Sequence, residues 1–158
     1  FYVLLRRAGR ALALVTAALR LVYAAMLAAL LSHLYEAYRL IVEMPSAQER
    51  AFADIELFQT GFLLAIALFG VHVVLLGYLL YRSGLMPRAL GAVVVIAGGA
   101  YIVDSFGKLL TTSYGGALGA TLVVVILAGE LGLIGWLLFK GVARVRPAAD
   151  ASGVDPAR

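Results

Sequence analysis

Four ionisable side chains stand inside otherwise apolar stretches of this chain: Arg20, His72, Asp104 and Glu130. Charged groups surrounded by lipid are costly, so they turn to the interior of a helix bundle and find partners there. An arginine, a histidine and a glutamate at one depth can form an ion pair with a hydrogen-bonded imidazole. The same three could relay a proton or hold a polar ligand. Asp104 has Lys108 one turn along its own helix for a partner, with the Tyr23 hydroxyl as the alternative donor. The plainer reading of all four is a buried polar knot that fixes which helices meet, and it is favoured over a relay or a ligand site.

These residues can meet only if long helices carry them. The chain has 158 residues, 63% of them hydrophobic and 14% charged. A soluble domain of this size needs more charge to cover its surface. Four apolar runs reach the length of about 18 residues that a bilayer core of about 30 Å requires. They predict an all-α membrane protein, a four-span helical bundle within residues 1–146. Span A covers 11–42, span B 57–81, span C 89–110 and span D 117–139, with a polar tail over 147–158. Residues 1–10, where an apolar run leads into Arg6 and Arg7, read as the end of a preceding span. Ser46 and Glu49 predict a capping box before span B, and Gly84 with Pro87 a tight turn after it.

Arg20, His72 and Glu130 each lie nine residues from the basic end of their spans. At the helical rise that is roughly 13–14 Å into the membrane. The expectation is therefore an Arg20–Glu130 ion pair joining spans A and D, with His72 hydrogen-bonded to it. Asp104 lies roughly 22 Å above Ala89, nearer the other face.

Charge sets the orientation. Arg6, Arg7, Arg10, Arg82, Arg88, Lys140, Arg144 and Arg146 fall on one side of the four-span arrangement, and Glu43, Glu49, Asp54 and Glu56 on the other, with only Arg50 and Lys108 against them. The positive-inside rule puts the basic side in the cytoplasm, and a bacterial inner membrane is the expected location. It also accounts for the net charge of +4, so no nucleic acid partner is expected. The partners expected are the lipid bilayer and other membrane subunits, or a second copy joined through glycine-rich helix faces. Glycines recur through spans B to D, with a G-x-x-x-G at Gly115 and Gly119, and small residues let membrane helices approach closely. Packing within one chain is the favoured use of them.

Several chemistries find no support. There is no cysteine, which removes disulfides, thiolate metal sites and cysteine nucleophiles. His33 and His72 are roughly 20 Å apart in depth, too far to ligate one haem. No metal-ligand spacing, phosphate loop or G-x-S-x-G setting occurs. No cofactor, metal or catalytic residue is assigned.

Longer runs carry a resemblance. They are Leu19-Arg20-Leu21-Val22, Gly70 to Gly84 with Pro87-Arg88-Ala89-Leu90-Gly91, Ala97 to Phe106, and Glu130-Leu131 leading to Trp136 through Gly141. Together they resemble the bacterial membrane proteins of the domain-of-unknown-function 4386 family. The resemblance implies two further spans upstream, and an arginine, a histidine, an aspartate and a glutamate at Arg20, His72, Asp104 and Glu130. It implies no activity. Three classes of function remain, in this order: a non-enzymatic membrane subunit or scaffold, a small transporter or proton-coupled carrier using the cluster, and an intramembrane enzyme.

Overall fold

A computed structural model of the chain describes residues 2–111 and 113–140. The described residues form helices and turns, with no strand among them. The helices are α1 (Tyr2–Leu5), α2 (Arg10–Glu43), α3 (Gln48–Ser83), α4 (Arg88–Leu110) and α5 (Gly116–Phe139). The four long ones are apolar enough, and long enough, to cross a membrane. The polar tail read over 147–158 lies outside the described residues.

Spans A, C and D correspond to α2, α4 and α5 within a residue at each end. Span B differs: α3 begins at Gln48, nine positions before the expected start. The Ser46–Glu49 capping box does not form, since Ala47 is the N-cap and no side chain caps the helix. A 3-10 turn, Pro45–Ala47, leads the chain in instead, and the Ala47 amide donates to the Met44 carbonyl at 2.8 Å. With 36 residues, α3 is about 54 Å long, well beyond the hydrocarbon thickness. The α2–α3 hairpin therefore continues past the lipid, with Ala37, Leu40 and Ala51 buried at its tip.

The helices pack in chain order: α3 between α2 and α4, and α5 against α4. No backbone contact joins α2 to α5 among the described residues. Gly84, in the left-handed conformation at φ 65°, ends α3 where any side chain would be strained. The antiparallel α3–α4 pair is fused at backbone distance. A Cβ on Gly98 would lie 2.6 Å from the Val74 amide nitrogen, and one on Gly77 2.7 Å from that of Val95. Gly70 and Gly91 meet the facing backbone in the same way. In lipid, where helices gain no hydrophobic force from meeting, that proximity maximises van der Waals contact.

At the end of the bundle that carries Arg82 and Arg88, Leu5 of α1 is buried with Ala13, Leu76, Leu79, Leu80, Leu85 and Met86. Trp136 and Leu137 of α5 pack on the same cluster. Elsewhere α2 and α5 expose large apolar side chains, among them Leu14, Leu21, Val124 and Leu131. An aqueous surface would not carry so much contiguous apolar area.

Candidate functional site

Arg20 on α2, His72 on α3 and Glu130 on α5 face one cavity of about 260 Å³. The rest of its wall is apolar: Val73 and Leu76 from α3, Val94 and Ala97 from α4, Leu133 and Ile134 from α5. A mostly apolar wall with a few convergent polar groups is the usual make-up of a small-molecule site. The three residues are thus brought to one space, but not into the contacts expected of them.

The expected Arg20–Glu130 ion pair is absent. Arg20 instead lays its guanidinium 5.0 Å from the Phe69 ring centre and 5.6 Å from that of Tyr23. Glu130 accepts a hydrogen bond from the Tyr101 hydroxyl at 2.6 Å. The reason lies in the helix order. With α5 docked on α4 rather than α2, the nearest donor to Glu130 is on α4, and the arginine meets the aromatic face of α3.

His72 does not join an ion pair either. Its Nδ1 lies 2.8 Å from the Thr16 carbonyl of α2. A carbonyl only accepts, so Nδ1 carries a proton, and in the neutral ring Nε2 is left as an acceptor. The bond ties α3 to α2 through a backbone oxygen whose second lone pair is available. His72 itself is only 3% exposed.

Phe69 joins these groups, and nothing in the sequence singled it out. Its ring centre lies 4.9 Å from Tyr23, 5.7 Å from His72 and, edge-on, 5.3 Å from Tyr101. It therefore touches the arginine, the histidine and the tyrosine that holds the glutamate. Its position one helical turn before His72 was the available signal, since i and i+3 share a face.

Asp104 lies apart from the cavity. Lys108 donates to its Oδ2 at 2.6 Å, whereas Tyr23, the alternative donor, stacks on Phe69. Asp104 is 7% exposed, and its Oδ1 has no hydrogen-bond partner. The Tyr114 ring lies against Gly107, and its hydroxyl is pushed above the ordinary value by burial and then by the Asp104 carboxylate. Lys108→Met would leave the buried carboxylate without its cation. Because Lys108 is half-exposed and screened, the expected loss is about 1 kcal/mol in a reversible detergent unfolding titration. Asp104→Asn added to Lys108→Met is expected to restore most of it; no restoration would remove the pair from the account of stability.

A second polar contact escaped the sequence reading. His33 Nδ1 and Asp54 Oδ1 lie 2.9 Å apart between α2 and α3, near the hairpin tip. No group of three or more metal-ligating side chains converges among the described residues.

Comparison with known proteins gives the same frame. An uncharacterized protein of Archaeoglobus fulgidus is 30% identical over 140 residues, covering 89% of this chain and 72% of that protein. No solved structure matches the chain. A family described as domain of unknown function matches residues 1–141, which take in all of the described helices and the cavity with them. The chain belongs to that family, the domain-of-unknown-function 4386 (DUF4386) proteins.

Proposed function

We propose that this multi-pass membrane protein binds a small polar ligand within the bilayer and acts as a carrier. One observation supports it above the others: three ionisable side chains from three helices line one cavity, and each takes a partner other than the other two. A polar knot built for stability would close Arg20 on Glu130, because an unpaired charge at that depth costs several kcal/mol. Here Arg20 and Glu130 both line a shared space, each held by aromatic neighbours. The basic ends of the helices lie in the cytoplasm under the positive-inside rule, and an inner membrane is the matching location.

The test is chemical access to Glu130. A hydrophobic carbodiimide is expected to label Glu130 in the purified protein and to leave Glu130→Gln unlabelled, as read by peptide mass spectrometry. An inert Glu130 in folded protein would overturn the carrier reading.

The other reading, a membrane subunit or scaffold, draws on the exposed apolar faces of α2 and α5. Gly70, Gly77, Gly91 and Gly98 are already used inside the chain, so self-association would have to use open positions such as Gly99 or Gly135. A stoichiometric partner on a native gel would favour it.

A further inference from the structure

The cavity carries a charge pattern that selects among ligands. Arg20 offers a guanidinium on the α2 side, and Glu130 a carboxyl group on the α5 side. His72, between them on α3, adds a lone pair at Nε2, because Nδ1 is committed to the Thr16 carbonyl. Arg20 therefore supplies the positive charge and the hydrogen-bond donors, and the other two polar groups are acceptors.

A simple anion would satisfy Arg20 but would bring its charge toward Glu130. A simple cation would do the reverse. Bare water would leave two opposite charges deep in a low-dielectric space without a direct counter-ion. A molecule with both charges satisfies each wall at once. Beside the polar groups the wall is apolar, from Phe69, Val73, Leu76, Val94, Leu133 and Ile134, so the body of the ligand must be apolar.

Size narrows the class further. At about 30 Å³ for each water in the liquid, 260 Å³ has room for about nine waters, hence for a ligand of about nine non-hydrogen atoms. The depth is also apt, since the substrate sites of many carriers lie near the bilayer midplane.

Resting on the carrier reading above, we infer that the cavity takes a small zwitterion with an aliphatic body, of the α-amino acid type. Its carboxylate lies on Arg20, and its ammonium on Glu130 with His72 Nε2 as a second acceptor. The step is binding only; no bond is made or broken.

The experiment uses the full chain in lipid nanodiscs with radiolabelled L-leucine, which has about nine non-hydrogen atoms and matches the estimated room. Two competitors share its skeleton: 4-methylpentanoate, which lacks the ammonium, and 3-methylbutylamine, which lacks the carboxylate. Leucine is expected to bind, and each single-charge analogue to compete at least about a hundredfold less well, because it leaves one built-in charge unpaired. Arg20→Gln and Glu130→Gln are each expected to abolish binding while eluting as monodisperse protein. Should either variant fail to fold, the competition series on the native sequence still decides. Equal competition by one analogue, or no leucine binding, overturns the zwitterion. Carbodiimide labelling separates the failures. Glu130 that is labelled without leucine binding removes only the ligand class, whereas Glu130 that is never labelled removes the cavity's carrier role with it. Protection of Glu130 from the reagent by leucine supports both.

Discussion

Gly98→Ala is expected to disrupt the fold, while Gly99→Ala, one residue along the same helix, leaves it intact. The methyl at position 98 would lie 2.6 Å from the Val74 amide nitrogen and 2.8 Å from the Gly70 carbonyl oxygen. These are backbone atoms of a continuous helix, so the only relief is to move α4 away from α3. That separation would loosen the whole seam, including Gly77 against Gly91. Overpacking of a tight core costs about 1–3 kcal/mol, and a backbone clash belongs at the upper end. At Gly99 an added methyl meets nothing within 4 Å. There the change is expected to be neutral or slightly stabilising, because alanine is the better helix former. Reversible unfolding in mixed micelles, read by circular dichroism, gives both values. Equal behaviour of the two variants would show that the α3–α4 seam is not a tight contact.

Phe69→Ala is expected to have the next largest effect, of about 3 kcal/mol on stability. The ring is half-buried and meets Tyr23, His72, Tyr101 and the Arg20 guanidinium, so its loss empties the junction between α2, α3 and α4. Phe69→Leu restores volume but not the ring face. It is expected to recover much of the stability while leaving the exposed Arg20 without its cation–π contact, worth about 0.5–1 kcal/mol at such a site. Loss of ligand binding in a stable Phe69→Leu protein would place the ring in the site. A leucine variant with native binding would make its role one of packing alone.

The positions of several contacts follow from hairpin geometry. Thr16 and His72 each lie 28 positions from Met44, and they are hydrogen-bonded. Gly70 and Gly98 each lie 14 positions from Gly84, and Gly77 and Gly91 each lie seven from it; both pairs meet. Two antiparallel helices joined by a tight turn bring equidistant residues together, and the heptad spacing keeps the small residues on the shared face. The capping box at Ser46 and Glu49 was misread for a local reason. A 3-10 turn over Pro45–Ala47 takes its place, and α3 starts earlier because the apolar tip of the hairpin packs there.

Run lengths and breaker residues alone establish that the chain is helical, that four helices are long and apolar enough to cross a membrane, and where the turn at Gly84 falls, but not where α3 begins. Each of these is a one-dimensional property: run length, breaker residues and rise per residue. Lateral packing settles which neighbours Arg20, His72 and Glu130 take, whereas Asp104 keeps Lys108, one turn along its own helix. Depth places Arg20 and Glu130 at the same level, but it does not say which helices are adjacent. Because α5 docks on α4, Glu130 is held by Tyr101, Arg20 by Phe69 and Tyr23, and the expected ion pair becomes a cavity between them. Partner choice depends on the lateral order of the helices, and that order is set by surface fit between helix faces rather than by the depth of any residue.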